Sequence, residues 1–276
     1  MSQVHWFPGH MAKAIRLIEE QLKAVDFVIE CRDARAPQST RNPALALSLG
    51  NKPRLIVLTK KDLADPDQTD AWVKKLESEG NSVLAVNVLK DPVKKLILQK
   101  QEQEVLINKR EREKRRGMRP RTARALIVGV PNVGKSSIIN KIGSRQAAGV
   151  ENRPGVTQAL KLIKVDEMLE LIDTPGVLWP KFETPEMGII CALIGSVKET
   201  GYPLSLITDF ARDYLIEHSP NKLKQVYQLE NFDHFFEDVG RYKTFLDKDN
   251  TVEIDKTRLH FLIDLQAGRL GRITWD

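Results

Sequence analysis

Gly129-Val130-Pro131-Asn132-Val133-Gly134-Lys135-Ser136 is the stretch on which the fold of this chain turns. It fits G-x-x-x-x-G-K-[ST], and its surroundings suit that pattern. The apolar run Ala125-Leu126-Ile127-Val128 precedes it as a buried strand would, and Ser137-Ile138-Ile139-Asn140-Lys141 continues it as a helix. The glycines let backbone N–H groups converge on phosphate oxygens, and the positive end of the helix dipole favours the same anion. Asn132, Val133, Gly134, Lys135, Ser136 and Ser137 are therefore expected around a nucleotide's phosphates. Lys135 would reach the terminal phosphates in the catalytic role, and the Ser136 hydroxyl would hold Mg²⁺. A glycine turn matching the pattern by accident does not account for both the strand and the helix.

Downstream, Asp173-Thr174-Pro175-Gly176 ends a second apolar run. An Asp at a strand end can reach Mg²⁺ through water, and the Gly176 N–H can meet a γ-phosphate. D-x-x-G is weak alone, but at roughly 40 residues beyond a phosphate loop it points to the switch of a GTPase. Thr157 lies between the two motifs and can supply the second hydroxyl to Mg²⁺. A GTPase also reads its base with [NT]-K-x-D, usually downstream of the switch. Here Asp247-Lys248-Asp249-Asn250 and Asp255-Lys256-Thr257 follow no buried strand. Thr59-Lys60-Lys61-Asp62 does, after Arg54-Leu55-Ile56-Val57-Leu58. Asp62 would accept from guanine N1 and N2, the Lys60 stem would cover the ring, and Thr59 stands where Asn is commoner. Asn87, after the run Ser82–Val86, is a candidate for a further guanine contact. Taken alone, 59–62 also reads as a lysine-rich strand end; the phosphate loop and switch favour base recognition and count against an ATP-dependent kinase.

The base-reading motif thus precedes the phosphate-reading one. Physics permits this, because ligands bind outside the carboxyl ends of parallel strands, where such loops converge whatever their chain order. Cutting the usual domain after its second switch and joining its old termini produces this order. Strands alternating with helices predict an α/β fold: a circularly permuted phosphate-loop GTPase domain over residues 1–180, built on a doubly wound, mainly parallel sheet. Its base-recognition half is 1–100, its basic joint 101–124 and its phosphate and switch half 125–180. A helix is expected over Asp91–Leu106. Beyond Pro180–Pro185 the periodicity is helical, so a small, mainly helical domain is expected over 185–276, with a short terminal strand at Ile273-Thr274-Trp275.

At 276 residues, 41% hydrophobic and 29% charged, the composition is that of a globular protein with a real core. The net charge of +6 and pI near 9.2 permit a polyanionic partner without demanding one. Only Cys31 and Cys191 occur, too far apart for metal-ligand spacing, which suits buried small hydrophobes in a reduced cytoplasmic protein. No run of 18 apolar residues occurs, so no membrane association is expected; a monomer is. Lys109 to Arg124 is the densest basic run, read either as a solvated helix end or as a contact for RNA phosphate.

Trp6-Phe7-Pro8-Gly9-His10-Met11-Ala12-Lys13, Asp33-Ala34-Arg35-Ala36-Pro37 and Asp173-Thr174-Pro175-Gly176-Val177-Leu178-Trp179-Pro180, in this permuted order, resemble the circularly permuted GTPases of the YlqF/YawG family. The resemblance covers nearly the whole chain and is strongest over 6–62 and 125–182. It implies a GTP- and GDP-binding factor in late assembly of the large ribosomal subunit, with rRNA and ribosomal proteins as partners and RNA bound by the C-terminal helical domain. Hydrolysis coupled to release from the particle is the leading reading; the alternative is a GTP-dependent RNA-binding scaffold whose hydrolysis is incidental. Thr59, and the loop around Asn87, depart from the family pattern. Asn132 resembles the loop Asn of cation-activated GTPases, which implies K⁺ beside the phosphates; an Asn that merely tolerates an unusual backbone is the other reading. Val177 and Leu178 cannot hydrogen-bond a water where many GTPases place Gln. His10 is the candidate to orient it, by its near-neutral pKa and because the family's Pro-Gly-His holds a proposed catalytic histidine there. A histidine that caps or packs the first helix is the plainer alternative.

Overall fold

The computed structural model of the chain describes residues 9–143, 162–178 and 182–276, with side chains from residue 15 onward other than that of Ala44. Two compact units divide the chain, residues 7–180 and residues 181–275.

The first unit holds α1 (Gly9–Leu22), β1 (Phe27–Asp33), α2 (Pro43–Leu49), β2 (Arg54–Thr59), α3 (Pro66–Ser78), β3 (Ser82–Val86) and α4 (Val93–Lys100). A π-helical segment (Gln101–Val105), α5 (Ile107–Arg115), β4 (Ala123–Val128), α6 (Lys135–Ile142), β5 (Leu162–Lys164) and β6 (Leu169–Asp173) follow. The sheet runs β3-β2-β1-β4-β6-β5, and every neighbouring pair is parallel except β5 with β6. β1 and β4 pair at the centre although 98 positions separate Phe27 from its partner Ala125; Glu30 likewise sits beside Val128. From β4 the chain moves to one side of the sheet and from β1 to the other. The carboxyl ends of β1, β2, β4 and β6 therefore converge on one edge, at the switch point where such sheets bind ligands.

Burial explains why these strands read as unbroken apolar runs. All seven residues of β1 are buried, as expected for a sheet covered on both faces. By register the even-numbered residues of β1, β2 and β4 share a face, with Glu30 between Ile56 and Val128. One cluster on that face joins Ile18 and Leu22 of α1 and Leu45 and Leu49 of α2 to Val28, Leu126 and Val128. A second joins Trp72 and Leu76 of α3 to Ile56 and Leu58. Glu30 and Arg32 lie buried on the same face, Nε to Oε1 at 2.7 Å, with Arg54 on the other Glu30 oxygen at 3.1 Å. Three charges paired this tightly are tolerable in an interior where a lone one is not.

The helix expected over Asp91–Leu106 is instead broken. α4 starts after Pro92 and passes into the π-helical turn at Gln101. Val93, Ile97 and Gln101 recur at four-residue spacing and are fully buried; the extra residue of the π turn then brings Leu106 inward as well.

The second unit contains α7 (Pro185–Leu193), α8 (Leu204–His218), α9 (Pro220–Tyr227), α10 (Phe235–Tyr242) and α11 (Ile254–Gln266). Its centre is aromatic: the Phe261 ring lies 5.3 Å from Phe235 and 5.7 Å from Phe236, both near edge-on. The terminal strand expected at Ile273–Trp275 does not form. Those residues are buried through side-chain packing rather than a strand ladder: Trp275 lies 4.9 Å from the Tyr214 ring, and Tyr214 Oη donates to the Thr274 carbonyl at 2.9 Å.

Candidate active site

β4 delivers the chain into the phosphate loop through Gly129, at φ +150°. A Cβ there would collide with the carbonyl oxygen of Cys31 on β1, so only glycine lets the loop lie this close to the neighbouring strand. Asn132 (φ +59°) and Gly134 (φ +97°) then turn through the left-handed region, and Gly134 caps α6. The result presents the first turn of α6, with Ser136 and Ser137 exposed, to anything beyond the sheet edge. Lys135 is 7% exposed, and its ammonium donates to the loop's own carbonyls, Val130 at 2.8 Å and Gly129 at 3.0 Å. Burial pushes the Lys135 pKa below its ordinary value, against the opposing pull of the Cys31 thiol and the Asp173 carboxylate. Burial also raises the Cys31 thiol to about 12, which leaves it protonated and inert.

The loop 59–62, expected to read the base, is bound directly to the phosphate loop. Thr59 is fully buried at the end of β2, and its hydroxyl donates to the Val133 carbonyl and also lies 3.2 Å from that of Arg32. Thr59 therefore serves the site by positioning the phosphate loop. Lys60, at φ +56°, donates to the Asn132 carbonyl at 2.8 Å and pairs with Asp33 at 2.9 Å. Asp62 is exposed beside it. Asn87 is 6% exposed, and its side-chain oxygen accepts from Leu89 N at 2.9 Å and Lys90 N at 3.3 Å, closing a local turn. Lys61 pairs with Asp91 of that turn at 2.7 Å, which joins the 59–62 and 87–91 loops.

Motif reading gave two residues no role in the site. Asp33, fully buried at the end of β1, takes Arg35 on both oxygens (2.9 and 2.8 Å) as well as Lys60. Burial pushes its carboxyl up, but the Arg35 guanidinium and Lys60 ammonium outweigh burial and hold it below the ordinary carboxylate range. Asp33 thereby anchors the lysine that anchors Asn132. Asn42 is the second. Its Oδ1 caps α2 at Leu45 N, and its Nδ2 donates to the Val177 carbonyl at 2.9 Å. An acid ending a strand and an Asn-Pro ahead of a helix were the available signals, but such residues occur in many proteins.

The switch reaches the same edge. Thr174 donates to the Ile127 carbonyl at 2.7 Å, and Val177 N to the Gly129 carbonyl at 3.2 Å. A Cβ on Gly176 would lie 2.8 Å from Pro131 Cα and 3.0 Å from Lys135 Nζ. Asp173 is half-buried at the end of β6. Val177 packs into the cluster with Ile18, Leu22 and Leu45, so its side chain faces the core. Thr157 lies outside the described residues, as do Trp179 and Pro180. His10 falls in the first turn of α1, and its side chain lies outside the described ones.

Among the described residues no group of three His, Cys, Asp or Glu could hold a metal by itself, and no helix is long and apolar enough to cross a membrane. The oxygen donors of Ser136 and Asp173 suit Mg²⁺, which is usually held by one or two protein groups together with phosphates.

Residues 124–232 match the family described as 50S ribosome-binding GTPase. Ribosome biogenesis GTPase A of Priestia megaterium is 41% identical over 99% of this chain and 96% of its own length. The protein of that name from Thermotoga maritima is 31% identical over 98% and 93%. The GNP-bound crystal structure of YlqF from T. maritima superposes with a TM-score of 0.66 at 28% identity, over 96% of this chain and 97% of that one. GDP-bound YlqF gives 0.65 at the same identity, over 95% and 98%. Identity at this level along almost the whole of both chains places the protein in the ribosome biogenesis GTPase A family, whose reaction, GTP hydrolysis, is the one these converging loops are built to perform.

Proposed function

We propose that GTP hydrolysis controls the binding of this protein to a precursor of the large ribosomal subunit, late in that particle's assembly. The observation that carries the reading is the tie between base loop and phosphate loop through Thr59 and Lys60, in a chain whose relatives are named for ribosome biogenesis. GTP is read by Asp62 and Lys60 and by residues 132–137, with Asn87 and Gly176 at the rim. Ser136, Thr157 and Asp173 (the last through water) hold Mg²⁺, which when bound offsets the negative charge of the phosphates. The Asn132 side-chain oxygen adds K⁺ beside them. The helices of 185–276 bind RNA, and the protein works as a cytoplasmic monomer.

Val177 is buried, so the attacking water needs another partner, and His10 at the start of α1 is assigned that task. The isolated protein should then turn over at or below the ~10⁻³ s⁻¹ scale of unassisted switch GTPases. Turnover measured with and without large-subunit precursors is the decisive experiment. Stimulation is expected, with tighter particle binding in a non-hydrolysable GTP analogue than in GDP. His10→Ala should keep nucleotide affinity and lose most of the stimulated rate. Equal particle affinity with GDP and analogue would overturn the reading in favour of a passive scaffold. For the cation, turnover should be faster in KCl than in matched NaCl, and equal rates would remove K⁺ from the site.

A further inference from the structure

The basic segment that joins the two halves of the first unit is not explained by the nucleotide site. Residues 107–124 contain nine of the chain's 43 Lys and Arg but only two of its 37 Asp and Glu. The segment thus carries +7 and the rest of the chain −1, so this segment accounts for the whole net charge of +6.

Its cations divide into two sets. The inner set is paired with carboxylates of α5 itself, of the π-helical segment, of the residue ahead of β1 and of β6. Arg110 takes Glu102 on both oxygens at 2.7 and 2.8 Å and Glu113 at 2.9 Å. Lys109 pairs with Asp26 at 2.7 Å, and Arg124 with Glu170 at 3.1 Å. The outer set faces away. Lys114, Arg116 and Arg119 are exposed and have no carboxylate partner among the described residues. Arg112 stands four residues before Arg116, a like-charge spacing that costs helix stability rather than adding to it. The dipole of α5 favours cations in its last turn, where Arg112, Lys114 and Arg115 lie, but Arg119 is beyond the helix end and gains nothing from it.

Beside the outer set lies a groove of about 870 Å³, lined by Lys52, Arg112, Arg116 and Arg121; the carboxylates of Asp26 and Glu113 that also line it are already paired, with Lys109 and Arg110. Asp26, Pro53 and Arg121 each precede a strand, β1, β2 and β4 respectively. The groove therefore opens at the amino ends of the strands, the edge opposite the nucleotide loops.

We propose that this groove and the outer cations of residues 112–119 form an RNA-phosphate contact on the GTPase unit itself, separate from any contact made by the C-terminal helices. Charge complementarity carries the assignment: closely spaced guanidinium and ammonium groups beside an open groove match a phosphodiester backbone, whose neutralisation releases counterions. Guanidinium groups add bidentate geometry to phosphate oxygens. A surface fixed by ion pairs to the leading ends of β1 and β4 also lets an RNA contact and the nucleotide act on the same central strands from opposite edges. The inference rests on the ribosomal reading above, and its test separates the two.

The full chain carrying Lys114→Gln, Arg116→Gln and Arg119→Gln is compared with wild type, bound to the GTP analogue, at several KCl concentrations. One ligand is the large-subunit precursor and the other is protein-free rRNA from that subunit. The triple variant should lose at least tenfold in affinity for both, and its log-affinity against log-salt slope should become shallower by about 2, at roughly 0.7 per phosphate contact. Nucleotide affinity and melting temperature should not move. The charge-keeping triple Lys114→Arg, Arg116→Lys, Arg119→Lys should restore binding. Unchanged affinity and slope would overturn the proposal, as would a loss seen with RNA-free ribosomal proteins in place of RNA, or a wild type that binds no rRNA. A wild type that ignores the precursor but binds rRNA through these three residues would sink the ribosomal reading and leave the groove standing.

Discussion

Asp33 shows how a residue that touches no ligand can set a binding site. Its carboxylate holds Lys60, and Lys60 holds the carbonyl of Asn132, so the chain of contacts runs from β1 through the base loop to the phosphate loop. Lys60→Met removes the charged hydrogen bond to the Asn132 carbonyl together with the stem proposed to cover the base, and should weaken GDP binding by about tenfold, near 1.5 kcal/mol. Asp33→Asn leaves the Arg35 guanidinium buried without its partner and should cost about 3–5 kcal/mol of stability. If Asp33 acts on nucleotide through Lys60, the losses in GDP affinity will not add. A double-mutant cycle checks this, and fully additive losses would separate the two residues.

At the scale of elements, the decisive contact is between the switch and the phosphate loop. Gly176 lies against the backbone of Pro131, and backbone cannot swing aside as a side chain can. Gly176→Ala should push the switch off the loop at a cost on the order of 1–3 kcal/mol. The expected result is at least a tenfold loss of GTP turnover with a melting temperature shifted by only a few degrees. Wild-type turnover would show that the two elements separate during the reaction. Asn42 extends the same coupling, since one side chain joins the residue after the switch to the start of α2.

For the molecule as a whole, the central strand is bracketed by carboxylates. Asp26 precedes β1, Glu30 lies within it and Asp33 ends it. Burial pushes all three upward, but Lys109 with Arg124 N, Arg32 with Arg54, and Arg35 with Lys60 respectively outweigh it and hold them below the ordinary range. A carboxylate whose folded pKa is depressed contributes stability above its unfolded value and loses it as pH falls through the folded value. Unfolding free energy should therefore be flat from pH 7 to about pH 5 and fall steeply below about pH 4, by up to roughly 4 kcal/mol per pH unit while all three are protonated in the unfolded chain and still ionised in the folded one. Urea titrations at pH 7, 5, 4 and 3.5 check this; stability that persists undiminished to pH 3 would mean the pairs contribute nothing.

What could be read from residues alone was whatever local chemistry fixes: apolar runs long enough to be buried strands, glycines where backbone must approach phosphate, and D-x-x-G and T-K-x-D after strand ends. Together these sufficed for the permuted order, because convergence at the carboxyl edge of a parallel sheet does not depend on chain order. Periodicity could not show the π turn at Gln101, which changes helical phase by one residue, nor that Ile273–Trp275 would be buried by packing without a ladder. Nor could it show that Thr59 faces the phosphate loop, that the Asn87 side-chain oxygen closes its own turn, or that Asp33 anchors Lys60. Each of those depends on which groups the sheet register brings side by side. A side chain's partner across two strands is settled by three-dimensional packing, and the chain's local pattern carries no record of it.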